Sequence, residues 1–115
     1  MDLLLLKKYG PLILLLAFFL FKFIKTKKIK KMIPKLKERG VQIVDVRQAN
    51  EFMRASNPSS INIPLNVFEK NIDQLSKEKP VLLCCASGTR SAMALRILKK
   101  HGFEVYNAGS WINTN

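Results

Sequence analysis

A long apolar run near the amino terminus constrains the fold of this chain more than any other feature. From Tyr9 to Ile24 the sixteen residues are apolar apart from Lys22, and apolar side chains occur on all sides of any helix drawn through them. A helix of that length spans about 24 Å, and the hydrocarbon core of a bilayer is about 30 Å thick. Lysines such as Lys7 and Lys25 can extend their ammonium groups to the two interfaces. The run therefore predicts a membrane-spanning helix.

A cleaved signal peptide is the alternative interpretation of this run. Lys7 and Lys8 would form its basic region, but a lysine-rich segment stands where a small-residue cleavage site would be needed. Two lysines precede the span, and nine Lys and Arg residues follow it, from Lys22 to Arg39. Positive residues flanking a span remain on the cytoplasmic side. We therefore expect a single-pass protein of the cell inner membrane whose carboxy-terminal domain faces the cytoplasm.

The net charge of +12 and the cysteine content exclude several functional classes. Residues 1–40 hold eleven Lys and Arg against two acids, whereas residues 41–115 hold nine against six, so most of the charge lies beside the span. There it can bind anionic headgroups, and the body lacks the basic pattern expected of a nucleic-acid partner. The two cysteines are neighbours and only one histidine is present. This composition excludes a disulfide framework and predicts neither a metal site nor a cofactor site.

After the span, short apolar segments alternate with helical patterns. Residues 41–46 and 81–85 are continuous apolar runs typical of buried strands. The alternation predicts an α/β domain with a parallel sheet, whose functional residues would follow the carboxyl ends of the strands. We divide the chain into a transmembrane anchor with its lysine-rich flank, residues 1–31, and this domain, residues 32–115. The other predicted elements are helices over 33–39, 47–55, 66–77 and 89–102, strands over 61–64 and 103–108, and a loop over 56–60.

A reactive thiol is predicted at the end of the strand 81–85. Cys85 ends the strand, Arg90 begins a helix, and the loop between them contains only small residues, namely Ala86, Ser87, Gly88 and Thr89. Small side chains allow backbone N–H groups to turn toward a common centre, and the helix start adds positive potential. Such surroundings favour the thiolate, which is the nucleophilic form. Cys84 alternates to the other face of the strand, where we expect a small buried side chain.

Four stretches in the same order resemble the motifs of rhodanese-like domains. The segment CASGTRS resembles the active-site loop of that family, and VDVRQANEF resembles its Asp-x-Arg…Glu segment. PSSINIPL is similar to a Pro-Gly-Ala-Ile-Asn-Ile-Pro stretch, and VYNAGSW is similar to the last strand and the turn after it. Together they cover about residues 33–112. The chain is thus identified as resembling a single-domain, membrane-anchored rhodanese of bacterial type.

The resemblance implies a small rhodanese-like parallel-sheet domain that moves sulfane sulfur through a persulfide on Cys85. The donor would be thiosulfate or a persulfide, and the acceptor would be a thiol or cyanide. Amides of residues 86–90 would hold the persulfide, while Arg90 would hold the loop and the anionic donor. The count of six residues from Cys85 to Arg90 favours sulfur over phosphate, because the related phosphatases and arsenate reductases have a loop one residue longer. The alternative function is a membrane-tethered module that keeps the fold and binds a protein partner without turnover.

Three charged residues after the first central strand are predicted to be structural rather than catalytic. We expect Asp45 to satisfy backbone groups at the end of the strand, and we expect Arg47 and Glu51 to form an ion pair that holds the turn. Nothing in their spacing indicates paired carboxylates for acid–base chemistry. Other side chains are assigned to packing, with Trp111 against the edge of the sheet and Phe52, Phe68 and Met93 in the core.

Overall fold

A four-stranded parallel sheet organises the chain after residue 40 in the computed structural model, which describes residues 2–115. In chain order the elements are α1 (Leu3–Glu38), β1 (Gln42–Asp45), α2 (Ala49–Arg54), β2 (Ile61–Asn62), β3 (Val81–Cys85), α3 (Thr89–Lys100) and β4 (Val105–Ser110). The strand order is β2-β1-β3-β4, and every neighbouring pair is parallel. The predicted α/β class is confirmed, with β1 and β3 at the centre of the sheet.

Helix α1 joins the apolar run to the sheet without a break. Its amino end is capped by Asp2, whose Oδ1 accepts a hydrogen bond from the backbone N–H of Leu4 at 3.3 Å. It ends just before Gly40, whose φ of +75° is the left-handed conformation that commonly terminates helices. The prediction of a separate short helix over 33–39 was wrong, because the same helix continues through that stretch to Glu38.

The carboxy-terminal part of α1 is held in helical form by the sheet. Ile29, Ile33 and Leu36 follow one another at helical spacing and are buried against one face of the sheet, where they pack with Ile43 and Leu82. The burial of three aliphatic side chains on one stripe offsets the cost of a proline inside this part of the helix. The helix that is apolar enough to span a membrane therefore also forms one layer of the folded domain.

The opposite face of the sheet is covered by α3 and by the segment between β2 and β3. The core on that side contains Val44 and Leu83 from the central strands, Leu98 from α3 and Phe68 from the connecting segment. Alternate residues of β3 therefore belong to different layers, since side chains of a strand point to alternate faces. Cys84 lies in the layer with α1, and the layer with α3 contains Cys85.

The segment predicted as an amphipathic helix over 66–77 instead forms two 3₁₀ helices, Leu65–Val67 and Glu69–Gln74. The side-chain amide of Asn71 donates to the carbonyl of Val67 at 2.8 Å, which is the carbonyl that its backbone N–H would contact in an α-helix. The backbone N–H of Asn71 bonds to Phe68 instead. Local competition of this kind favours the tighter turns.

The expected core residues of the domain differ in their exposure. Phe68 is fully buried and Phe52 is half-buried, whereas Met93 is 51% exposed. The assignment of Met93 to the core was wrong, because Ser91 and Ala94 occupy the inner face of α3 and Met93 lies between them on the outer side. Trp111 begins a final 3₁₀ helix, Trp111–Thr114, in contact with the layer that contains α1.

Candidate active site

The loop between β3 and α3 is shaped by two glycines in close contact. Gly88 has a φ of +105°, and Gly109 has a φ of +79° at the point where the pairing of β3 with β4 shifts by one residue. A β-carbon on Gly88 would lie 3.1 Å from the Cα of Gly109, so both the backbone conformation and the close approach require glycine at residue 88. This contact fixes the loop over the carboxyl ends of β3 and β4.

The thiol of Cys85 lies inside this loop. Its Sγ accepts a hydrogen bond from the backbone N–H of Gly88 at 2.9 Å, and the hydroxyl of Ser91 lies 3.4 Å away. Burial opposes ionisation, but the Ser91 hydroxyl and the backbone amides of Ser91, Gly88 and Ser87 outweigh it, so that the pKa of Cys85 is lowered. Cys85 is only 1% exposed, and its polar contacts come from the loop and from the first turn of α3.

Ser91 connects the thiol to a second polar group. Its Oγ lies 2.7 Å from Oδ1 of Asn107, which also accepts from the backbone N–H of Gly109 at 2.9 Å. The amide of Asn107 donates to the carbonyl of Gly88 at 3.1 Å. A hydroxyl has one proton to donate, so Ser91 can turn that proton from Asn107 to Cys85 when the sulfur is ionised. The Oδ1 of Asn107 then still accepts a hydrogen bond from the backbone N–H of Gly109.

Ser91 and Asn107 were not predicted as site residues from the sequence. Ser91 stands in the first turn of a helix that begins beside the thiol, which is a position whose side chain can reach back to the loop. That signal was available in the spacing from Cys85. Asn107 could not have been found in this way, because its approach to the loop depends on the pairing of β3 with β4.

Arg90 lies beside the thiol but is bound to a carboxylate. Its two terminal nitrogens donate to Oε1 and Oε2 of Glu51 at 2.6 and 3.1 Å. This bidentate pair lowers the pKa of Glu51 to about 2. It also raises the pKa of Arg90, and the neighbouring Cys85 contributes to the same shift. The guanidinium therefore adds positive charge near the sulfur, while its geometry is set by Glu51 on α2.

The predicted pair of Arg47 with Glu51 was wrong. Arg47 instead holds Asp45, with its Nε 3.0 Å from both carboxylate oxygens and one terminal nitrogen 2.8 Å from Oδ2. The same guanidinium donates to the carbonyl of Ala55 at 2.7 Å and lies over the ring of Trp111, with 4.9 Å to its centroid. Arg47 thus joins the two ends of the segment from Asp45 to Ala55. Because Arg47 is not paired with Glu51, the carboxylate of Glu51 can bind Arg90 at the active-site loop.

The other predicted residues of the loop and the neighbouring Cys84 differ in exposure. Ala86, Ser87 and Thr89 are exposed at the surface of the loop, and the hydroxyls of Ser87 and Thr89 lie 3.4 Å apart. Cys84 is completely buried on the other face, where burial raises its pKa to about 12. The pKa of Cys85 is thus lowered and that of Cys84 raised, so Cys85 is the better candidate for a nucleophile.

The chain is similar in sequence to several known proteins. The Rhodanese domain-containing protein CG4456 of Drosophila melanogaster is 33% identical over 87 residues, which cover 62% of this chain and 78% of that protein. YrkF of Bacillus subtilis, described as a candidate sulfur carrier protein, is 37% identical over 67 residues, and the match covers 58% of this chain. The chain spans only 36% of the length of YrkF.

A solved structure shows the same fold. The rhodanese-like domain protein of Staphylococcus aureus superposes with a TM-score of 0.64 at 27% sequence identity, covering 78% of this chain and 87% of that one. The sequence model of the rhodanese-like domain matches residues 26–111, so its match begins within α1. A relative in Allochromatium vinosum, 27% identical over 63 residues that cover 55% of this chain and 59% of that protein, is described as a sulfurtransferase. On its sequence and its fold, the chain belongs to the rhodanese-like domain family.

Proposed function

We propose that the protein is a membrane-anchored sulfurtransferase that carries sulfane sulfur as a persulfide on Cys85. The observation that supports this most strongly is the environment of the Cys85 sulfur, which accepts from the amide of Gly88 and lies beside the hydroxyl of Ser91. Both groups stabilise a negative charge on sulfur. The same donors can stabilise a persulfide anion, in which the charge lies on the terminal sulfur, one atom beyond Sγ of Cys85.

The reaction consists of two nucleophilic displacements at sulfur. The thiolate of Cys85 attacks the outer sulfur of thiosulfate, a sulfur–sulfur bond forms, and the original one breaks as sulfite leaves with the electron pair. In the second step a thiolate or cyanide attacks the terminal sulfur of the persulfide, and the Cys85 thiolate leaves. Each step exchanges one bond to sulfur for another, so no external oxidant or reductant is required.

Residues of this chain would act on these steps by binding and positioning. Arg90 and the amides of the loop provide positive potential for the anionic donor and for the leaving sulfite. Glu51 holds the guanidinium of Arg90 by two hydrogen bonds, so it acts as a positioning residue. Ser87 and Thr89 lie at the entrance of the loop, where their hydroxyls can contact a donor.

The membrane placement is part of the proposal. One helix, α1, is long and apolar enough to cross a bilayer, and none of its apolar stretch is buried in the fold. The asymmetry of basic residues supports a cytoplasmic domain.

We expect alkaline carbonate to leave the protein in the membrane pellet and protease to digest the domain in inverted vesicles. Extraction into the supernatant, or digestion in right-side-out vesicles, would contradict this placement.

Mass spectrometry of the purified full chain after incubation with thiosulfate tests the sulfur chemistry. The expected result is the mass of one added sulfur atom, located on Cys85 by peptide mapping and removed by cyanide or by a reducing thiol. A Cys84→Ala variant should gain the same sulfur. If neither thiosulfate nor an organic persulfide adds sulfur to the wild-type chain, the protein is better explained as a tethered binding module.

Replacing Arg90 with alanine is expected to lower kcat/KM for thiosulfate by roughly 10- to 100-fold, because a hydrogen bond to a charged group contributes about 1.5–3 kcal/mol. The chain should still fold, since the Arg90 side chain is about one-third exposed. Glu51→Gln should give a smaller loss, because the guanidinium remains but is held less firmly. Steady-state kinetics with both variants would contradict this assignment if Arg90→Ala matched the wild type.

A further inference from the structure

The direction of α1 places the active-site loop next to the apolar run. At its carboxyl end α1 lies near the start of β4, since Arg39 forms an ion pair with Glu104 at 2.7 Å. Its residues 18–26 instead lie near Ser87–Thr89 and Gly109, which follow or end β3 and β4. The helix therefore runs antiparallel to the strands. Because all four strands are parallel, their carboxyl ends point back toward the membrane-spanning part of α1.

A groove of about 390 Å³ lies between this part of α1 and the active-site loop. Its volume falls within the range of small-molecule sites, about 300–1,000 Å³. The apolar wall is formed by Phe18 and Phe21 of the span together with the exposed Met93 of α3. Three basic residues also line it, with Lys22 and Lys25 on α1 and Arg96 on α3. None of the residues lining the groove is acidic.

A second groove continues the first along β4. It lies between α1 and α3, has a volume of about 430 Å³, and shares Lys25 and Arg96 with the first groove. Lys28 and Lys99 add two more basic side chains, and again none of the lining residues is acidic. Basic side chains therefore line both grooves, from beside the active-site loop along β4.

We infer that the groove beside the active-site loop is a binding site for an anionic phospholipid of the surrounding leaflet. The acyl chains would lie against Phe18 and Phe21, and the phosphate would lie between Lys22 or Lys25 and Arg96. The inference rests on the membrane placement of α1 in the proposed function and is independent of the sulfur chemistry.

Position and charge together favour a lipid over a soluble anion. The apolar wall belongs to the stretch of α1 that the fold leaves uncovered, so in a bilayer acyl chains are the groups that contact it. The basic residues begin where the apolar run ends, which is the level of the headgroups. Basic pockets beside spanning helices are suited to anionic headgroups in this way.

The bound lipid would hold the catalytic domain in a defined orientation on the membrane. Its headgroup would bridge α1 and α3 next to Ser87–Thr89, so the entrance to Cys85 would face the leaflet surface. Donors and acceptors would then approach along the membrane surface, where basic residues concentrate anions. This arrangement gives a physical reason for joining the anchor and the domain through one continuous helix.

Native mass spectrometry of the full chain in mixed micelles tests the site. The micelles contain equal amounts of phosphatidylglycerol and phosphatidylcholine with the same acyl chains. We expect one phosphatidylglycerol to be retained in preference to phosphatidylcholine. The variant Arg96→Gln should lower that retention about fivefold, the factor for one basic residue at a membrane surface.

The matched control is Lys100→Gln, which removes one charge from the same helix at an exposed position outside both grooves. It should change lipid retention by less than about twofold. Equal retention of the two lipids would overturn the proposal, and so would equal losses in the two variants, which would indicate only general surface charge. A parallel sample contains glycerol 3-phosphate in place of phosphatidylglycerol. Retention of glycerol 3-phosphate at the same level as the lipid would also overturn the proposal, because the acyl chains would then contribute nothing. Sulfur loading does not enter these measurements, so their failure is distinct from failure of the proposed chemistry.

Discussion

Replacing Cys85 with serine is expected to abolish sulfur transfer from thiosulfate, with turnover falling by on the order of 10³-fold or more, as for other enzymes that lose a covalent nucleophile. A serine hydroxyl is not ionised near neutral pH and forms no persulfide, so both displacement steps are lost. The loop should keep its conformation, because the contact of Gly88 with Gly109 does not involve the sulfur. Thiocyanate production from thiosulfate and cyanide measures the loss.

The adjacent cysteine provides a matched control for this result. Cys84 is buried in the layer that contains α1, and burial raises its pKa to about 12, so it remains a neutral thiol. Cys84→Ala keeps the site apolar and should retain turnover within a few-fold, with some loss of stability from the smaller side chain. If Cys84→Ala lost activity as completely as Cys85→Ser, the assignment of the nucleophile would be wrong.

The largest expected effect on stability comes from Asp45→Asn, which should reduce the free energy of unfolding by about 3–5 kcal/mol. Asp45 is fully buried, and its partner Arg47 is only 5% exposed. Removing the carboxylate leaves a buried guanidinium without its counter-charge, and an unpaired buried charge is strongly destabilising. Urea unfolding in a mild detergent, followed by tryptophan fluorescence, reports the change because Trp111 contacts the Arg47 guanidinium.

A second ion pair shows how much burial matters for this effect. Arg39 and Glu104 are 2.7 Å apart, but their side chains are 52% and 41% exposed. Arg39→Gln should therefore cost no more than about 1 kcal/mol, as for other exposed pairs. Similar losses for Arg39→Gln and Asp45→Asn would show that the buried pair does not have the structural role assigned to it.

The fold class was predictable because its signals are local. The apolar runs of β1 and β3 and the glycine after α1 each determine an element from neighbouring residues alone. The continuous path of α1 was not predictable in this way. Lysines dominate residues 25–31, which the sequence assigns to the predicted anchor, and only the packing of Ile29 on the sheet shows that this stretch also contributes to the folded domain.

The candidate site was predictable to the same extent. The loop from Cys85 to Arg90 is contiguous in sequence, so its small residues and its helix start could be interpreted directly. The partners of its charged groups lie elsewhere in the chain. Glu51 reaches Arg90 across 39 residues, and Asn107 reaches Gly88 across 19 residues. Such pairings depend on the order of the strands, which local patterns do not specify.

The acidity of the Cys85 thiol tests the central claim most directly. Ultraviolet absorbance of the thiolate, followed from about pH 4 to about pH 9, reports its ionisation, while the pKa of about 12 keeps Cys84 protonated throughout. An ordinary cysteine ionises near pH 8.5. Because the loop lowers the pKa of Cys85, the thiolate should form at a lower pH than this value.

Two serine variants identify the groups that cause the shift. Ser91→Ala removes a hydroxyl 3.4 Å from the sulfur and should raise the midpoint by about 1–2 pH units, the effect of one hydrogen bond to a charged group. Ser87→Ala makes the same chemical change at an exposed hydroxyl that contacts Thr89, and it should leave the midpoint unchanged. A wild-type midpoint at or above pH 8.5, or equal midpoints in the two variants, would contradict the proposal that this loop holds an ionised and reactive sulfur.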